Sequence, residues 1–369
     1  MKIKRCSMML SFLLLSGCVE TDVIDDILMA ESEGYDYIGN DKVVGTITMP
    51  NYAEGGVSGS GGGGLPSTAA MMNSASTITY DGRSLVEVLQ KEGQKTITAG
   101  KLRLMLFNQA YLQHGLNKVL HFRNQDPEVG RDLFLAMVDG SCFDLLTGSY
   151  LTAIPISRYA YDLIFQNEQK NFPQTNLKSF FYNYYGYQTD PYMPIIKKEK
   201  QHLVITGVAL LKHDKYAGRI AGENNVFIFK ALMETFKYGF YDYEFKPGEH
   251  IALENVSSQI KYAAEAGNSP EPRITASLKI IGYIRQGNPL LTTLDYNTSI
   301  KKNLQKELES KMETMVSQFQ EKRIDPLGLG DLVRSYTRNF NSSSWKDRYP
   351  NAHFRAHVTI DIAETGVSK

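Results

Sequence analysis

The pattern that most constrains the fold is a long amphipathic repeat near the carboxyl end of the chain. Over residues 297–323, large apolar side chains recur every three or four positions, with Lys and Glu between them: Ile300, Leu304, Leu308, Met312, Met315 and Phe319. This spacing is the period of an α-helix with one apolar face. A lone helix cannot bury such a face, so the pattern predicts a helix that lies on a sheet and ends at Asp325-Pro326-Leu327-Gly328-Leu329-Gly330.

Strands are predicted on both sides of this helix, over 254–263, 273–285 and 353–362. Apolar and polar residues alternate through the last two, which places successive side chains on opposite faces of a sheet. The inward set of the final strand is Phe354, Ala356, Val358, Ile360 and Ile362. Upstream, residues 203–211 and 216–220 predict a hairpin with a polar turn at 212–215, and a helix is expected to start near Glu223.

The first half of the chain alternates strand and helix patterns, which predicts a mixed sheet with packed helices. We expect strands over 43–49, 101–108 and 131–138, helices over 82–92 and 109–121, and a mostly helical stretch over 141–190. Residues 19–34 show helical spacing among acidic residues. The run 55–68 is rich in Gly and Ser, as in a flexible insertion, and lacks the Gly-Lys-Ser/Thr ending of a phosphate-binding loop.

The amino terminus predicts export and lipid attachment. Lys2, Lys4 and Arg5 precede an apolar core over 8–15 that is too short to span a bilayer. Leu15-Ser16-Gly17-Cys18 then reads as a lipobox, so we expect cleavage after Gly17 and a diacylglyceryl group on Cys18. The alternative is an ordinary signal peptide that happens to contain a cysteine. Cys6 lacks this context and is interpreted as incidental.

Composition excludes some classes of function. The chain has 40 basic and 40 acidic residues, and loss of residues 1–17 removes three basic ones, leaving 37 − 40 = −3. This balance gives no support for nucleic-acid binding. After Cys18 the remaining cysteine is Cys142, which we interpret as a small buried residue rather than a nucleophile. No later segment is apolar enough to predict a transmembrane helix.

No arrangement of residues predicts catalysis, a cofactor or a metal centre. His353 and His357 are four apart, but a strand here places them on a solvated face, and Phe354 stands where a zinc protease helix needs Glu. Asp325 is expected to bond nearby backbone amides, and Trp345 to fill the core. The aromatic cluster over 180–187 is interpreted as core or a partner interface, with Tyr184 and Tyr185 as the candidate partner surface; the alternative is the lining of a ligand pocket.

Taken in order, these features resemble the Ger(x)C lipoproteins, the C subunits of spore germinant receptors. The lipobox is followed by a short acidic segment through Glu20 and Asp26. Residues 205–215, closing at Gly218, are similar to the family's "GxAxFxxDK…G" hairpin. The long helix with its Asp325–Gly330 ending, Trp345, the final strand and Gly366 complete the resemblance. Two departures are Val19-Glu20, where Trp-Asp is usual, and the glycine run 55–64.

The resemblance implies an α+β protein of about three domains, each a mixed or antiparallel sheet with packed helices. We divide the chain into a signal peptide 1–17, an N-terminal domain 18–198, a small middle domain 199–248 and a C-terminal domain 249–369. The resemblance also implies a non-catalytic receptor subunit, anchored through Cys18 to the outer face of the spore inner membrane. Its partners would be the A and B subunits of a nutrient germinant receptor.

Two other functions are compatible with a lipid-anchored body. A free-standing solute-binding lipoprotein usually shows two lobes of repeated strand–helix units, whereas this sequence predicts antiparallel hairpins and one dominant late helix. An envelope hydrolase would need a catalytic site assembled from residues distant in sequence.

Overall fold

A computed structural model describes residues 27–51, 72–80, 82–152, 154–286 and 294–362 of the chain. Its strands are β1 (Ile27–Met29), β2 (Ser32–Gly39), β3 (Lys42–Pro50), β4 (Met72–Thr79), β5 (Thr96–Thr98), β6 (Leu104–Asn108), β7 (Phe134–Val138), β8 (Tyr192–Glu199), β9 (His202–Lys212), β10 (Lys215–Ala221), β11 (Phe240–Lys246), β12 (Glu249–Glu265), β13 (Arg273–Gln286) and β14 (His353–Ile362). Its helices are α1 (Gly82–Gln90), α2 (Gln109–His114), α3 (Asn117–Gln125), α4 (Cys142–Leu146), α5 (Ile156–Glu168), α6 (Leu177–Tyr185), α7 (Glu223–Met233), α8 (Leu294–Lys322), α9 (Leu329–Tyr336) and α10 (Trp345–Arg348).

The first half of the chain builds a mixed eight-stranded sheet with the strand order β10-β9-β8-β7-β6-β2-β3-β4. Strands β2, β6, β7 and β8 run parallel to one another, and the pairs outside this group are antiparallel. Helices α1, α2, α3 and α6 contribute to the core on one face, and α4 and α5 to the core on the other. Central strands covered on both faces read as continuous apolar runs, as in β7, where all five residues are buried.

The last third builds a four-stranded sheet, β11-β12-β13-β14, in which β13 and β14 are parallel. The predicted stripe of α8 lies on this sheet, and its six apolar residues, Ile300 to Phe319, are all buried. The inward residues of β13 and β14 join the same core, which confirms the predicted alternation. On the opposite face, His353 and His357 are exposed.

Several local predictions need correction. Of the segment 19–34, which has helical spacing, residues 19–26 lie outside the described residues, and 27–34 form β1 and the start of β2, because pairing with β5 and β3 outweighs local preference. The predicted helix 109–121 is two helices, separated at Gly115 (φ +119°), where the backbone conformation breaks the helix. The predicted strand 131–138 begins only at Phe134.

Strand β9 connects the two halves of the molecule. Ala209 and Leu211 enter the core of the large sheet, whereas Val208 and Leu210 enter the core under α8. Alternate residues of a strand point to opposite faces, so one strand serves two cores. The segment 199–248, predicted as a middle domain, thus supplies β9 and β10 to the large sheet and β11 to the small one. The domain boundaries stay a prediction, whereas the α+β class with sheets and packed helices is confirmed.

No helix in the described part of the chain is both long enough and apolar enough to cross a membrane.

Candidate functional site

The predicted aromatic surface lies on a cleft of about 680 Å³ between the two halves of the molecule. One wall is formed by the end of α6 and the residues that follow it, over 184–190, together with Lys212 at the end of β9 and His213 in the β9–β10 turn. The other wall comes from the end of α8 and the start of α10, through Arg323, Asp325 and 345–349. We call this the junction cleft.

The aromatic cluster divides into a buried half and an exposed half. Tyr184 is only 7% exposed; its ring stacks on His213 with 4.4 Å between centroids, and its hydroxyl donates to Asn117 Oδ1 at 3.2 Å. Tyr185 and Tyr187 are 56% and 63% exposed at the cleft. Helical spacing explains the division, because residues on one side of α6 pack against the sheet while the next one turns outward. Tyr184 is therefore a support, and Tyr185 and Tyr187 are the accessible rings.

Two carboxylates close the floor of the cleft. Asp190 accepts hydrogen bonds from the backbone N–H groups of His213 and Asp325, each at 2.8 Å. The Asp190 N–H in turn donates to the Asp325 carbonyl at 2.9 Å. These bonds join a segment that follows α6, the hairpin turn and the end of α8. The two halves of the molecule are therefore linked by backbone amides at this point.

The Asp325 side chain organises the start of α9. Its carboxylate accepts from the N–H groups of Leu329 at 2.9 Å and Gly330 at 2.8 Å, which confirms the predicted bonding to nearby amides. Burial raises its pKa to about 7, against the opposing effect of these two amides. Gly330 lies against the Trp345 indole, which is 2% exposed and fills the core as predicted.

The cleft is rimmed by three exposed basic residues that the sequence analysis did not single out as a group: Lys212, Arg323 and Lys346. They belong to a hairpin turn, a helix end and a short helix far apart in the chain. A basic residue next to a helix terminus is a common sequence feature, so no local signal distinguishes these three.

The other predicted residues lie elsewhere. Cys18 is outside the described residues. Cys142 is fully buried in the core of the large sheet, and burial raises its thiol pKa well above the usual range, so it is protonated and inaccessible. His353 Nε2 lies 3.2 Å from Glu271 Oε2 on the exposed face of β14. Among the residues that the structure describes, no three His, Cys, Asp or Glu side chains converge as a metal site.

Comparison with known proteins identifies the family. The family model described as "Spore germination protein N-terminal domain" matches residues 20–198. The model described as "Spore germination B3/GerAC like, C-terminal" matches residues 206–366. The chain belongs to this family of spore germination proteins. The resemblance inferred from the residues is therefore confirmed.

Two relatives of this germination protein extend the match over its length. Spore germination protein GerQC of Bacillus cereus is 30% identical over 369 residues, which covers 97% of this chain and 98% of GerQC. The crystal structure of the GerBC protein superposes with a TM-score of 0.59 at 16% identity and covers 90% of this chain and 97% of GerBC. The second comparison shows that the two proteins share a fold.

Proposed function

We propose that this protein is the non-catalytic C subunit of a nutrient germinant receptor and acts with membrane-embedded A and B subunits. The observation that carries the proposal is the match to both GerAC domains together with 30% identity to GerQC over 97% of the chain. Both halves of the molecule are needed for such a match, so the chain corresponds to the relative along its whole length rather than in one shared module.

The protein is held at the outer face of the spore inner membrane by lipid on Cys18. The lipobox Leu15–Cys18 supports this attachment, because its small residues suit the peptidase and its cysteine supplies the acylated thiol. Two acyl chains give stable anchoring where one gives only marginal binding. An anchored body stays at high effective concentration beside membrane partners, so a modest interface is enough for assembly.

The junction cleft is the surface through which the body contacts the receptor subunits. Its exposed rings Tyr185 and Tyr187 are the type of residue that supplies most of the binding energy at interfaces. Both lie beside buried, hydrogen-bonded groups that hold the walls of the cleft in place. Preorganised walls lower the entropic cost of binding a partner.

The anchor is tested with Cys18→Ala and the matched control Cys6→Ala in the full chain. We expect Cys18→Ala to lose incorporation of labelled palmitate, fail to recover the A and B subunits from spore membranes, and slow germination on nutrients. Cys6→Ala should behave as the unmodified chain. Palmitate labelling is the primary readout because an uncleaved signal peptide could keep Cys18→Ala on the membrane. Unchanged labelling and germination in Cys18→Ala would contradict the proposal.

A further inference from the structure

The three basic residues around the junction cleft have no carboxylate partner among the residues that the structure describes. Lys212, Arg323 and Lys346 form no ion pair within the described part of the chain, whereas Lys197, Arg219, Lys311 and Arg334 each lie within 4.0 Å of a carboxylate. The two carboxylates that line the cleft, Asp190 and Asp325, accept backbone N–H groups instead. The cleft lining thus carries three cations against two carboxylates, which leaves an excess of positive charge.

Arg323 has a backbone conformation that is unfavourable for a residue with a side chain. Its φ is +53°, in the left-handed region that suits glycine. It follows the last residue of α8, where the Ile324 N–H donates to the Phe319 carbonyl at 3.0 Å, a helix ending at which glycine is the usual residue. His213, on the opposite wall, also has a left-handed φ of +57°. The same conformation occurs outside the cleft, at Lys200 and Ala266, so the backbone alone does not mark a site, but it lets glycine replace Arg323 without strain.

We propose that the junction cleft binds an acidic, carboxylate-bearing segment of a partner protein. This inference rests on the proposed function, because the partner it names is another receptor subunit. Carboxylates would pair with the guanidinium of Arg323 and the ammonium groups of Lys212 and Lys346. Tyr185 and Tyr187 supply hydroxyl donors and apolar ring faces beside these charges.

The shape of the site favours a polypeptide segment over a membrane surface. The cleft is a concave space of about 680 Å³ between two walls, within the ~300–1,000 Å³ range of cavities that enclose a bound group. A bilayer presents its anionic headgroups on a broad surface, which meets the rim but does not enter between the walls. A short extended segment can enter between the walls, which carry Lys212 on one side and Arg323 and Lys346 on the other.

The test uses two variants that make the same chemical change at two positions. Arg323→Gly and Lys200→Gly each remove one positive charge and relieve a left-handed backbone, since Lys200 has φ +56° in an exposed turn outside the cleft. The full-length protein in detergent is titrated into fluorescein-labelled hexaglutamate, with hexalysine as the control peptide, and anisotropy is measured. We expect hexaglutamate to bind, its affinity to fall with added salt, and hexalysine not to bind.

Arg323→Gly should weaken hexaglutamate binding by about fivefold or more while its melting temperature stays level or rises. Lys200→Gly should leave binding unchanged. Equal binding of hexaglutamate by both variants would overturn the proposal. Failure of the unmodified protein to bind hexaglutamate would also overturn it. In that case, Arg323-dependent binding to phosphatidylglycerol vesicles would favour a membrane ligand. The peptide measurement contains no receptor subunit. If the protein binds the peptide but does not co-purify with the A and B subunits, the proposed function is overturned. Binding of an acidic segment by the basic residues of the cleft would still be supported.

Discussion

At the scale of single residues, Asp325 shows how one buried carboxyl group can serve structure rather than catalysis. It accepts two amide hydrogen bonds that start α9, and its own N–H and carbonyl bond Asp190 across the junction. Those partners explain why the group is retained although burial raises its pKa from an ordinary 3.8 to about 7. The carboxyl group that holds the start of α9 in place therefore changes its protonation state near neutral pH.

The raised pKa predicts how stability depends on pH. The folded protein holds the Asp325 proton more tightly than the unfolded chain, so this contribution is complete below about pH 4 and is lost as the pH rises to about 7. We expect the free energy of unfolding, from denaturant titrations, to fall over this window by up to ~1.4 kcal/mol per pH unit for this group. Glu168, whose pKa burial also raises to about 7, contributes in the same direction.

Asp325→Asn should reduce that pH dependence, because the amide does not titrate, and should lower stability overall, because one backbone N–H loses its acceptor. The exposed Glu321→Gln is the control and should leave the slope unchanged. An identical slope in Asp325→Asn and the unmodified protein would show that Asp325 does not titrate in this window.

At the scale of elements, the β9–β10 hairpin is where close backbone packing matters most. A Cβ added to Gly207 would fall inside the van der Waals contact distance of the Ile220 carbonyl on the paired strand. Because β9 supplies both cores, displacing it from β10 would disturb residues on both of its faces. The glycine in the predicted strand thus permits a close approach of two backbones.

Gly207→Ala should destabilise the protein by about 2 kcal/mol or more, because the clash involves backbone that cannot move aside as a flexible side chain can. Chemical denaturation measures the loss. Gly100→Ala is the matched control, since no atom lies within 4 Å of the added Cβ, and it should change stability by less than about 0.5 kcal/mol. Similar midpoints for the two variants would mean that the hairpin absorbs the extra methyl group.

The elements also show where sequence patterns are reliable. Long, strongly periodic segments were predicted correctly, as for α8, β13, β14 and the β9–β10 hairpin. The helical spacing over 19–34 misled where the structure describes it, at 27–34, because pairing with β3, β5 and β6 decides the conformation there.

At the scale of the whole molecule, two hydrophobic cores share strand β9, and elements from both halves line the junction cleft. Hydrogen bonds from the backbone N–H groups of His213 and Asp325 to the Asp190 carboxylate hold its floor together. The opening faces solvent and carries exposed tyrosines, together with basic groups that pair with no carboxylate in the described ranges. The geometry of a site built from both halves depends on their relative position, so a partner would bind in the cleft only when the two halves are correctly packed.

This arrangement predicts that the exposed rings contribute to assembly and little to folding. Tyr185→Ala with Tyr187→Ala should lower recovery of the A subunit in co-purification from spore membranes by about tenfold, the size expected for two interface aromatics. The melting temperature should change little, because both rings are more than half exposed. Tyr80→Ala, with a ring 63% exposed outside the cleft, is the control. Unchanged recovery in the double variant would exclude this surface.

The sequence by itself determined the amphipathic helix, the alternating strands, the hairpin, the buried Cys142 and the family. These features follow from the spacing of apolar residues, with periods of 3.6 residues in helices and 2 in strands, and from the order of the motifs. Both can be read from the sequence alone. Only the tertiary structure decided the strand order, the burial of Tyr184 but not Tyr185, and the buried ion pair of Arg123 with Glu33, 90 positions away. It also decided the meeting of Lys212, Arg323 and Lys346 at one cleft. The reason is that proximity between distant residues depends on how whole elements pack, which no local period records.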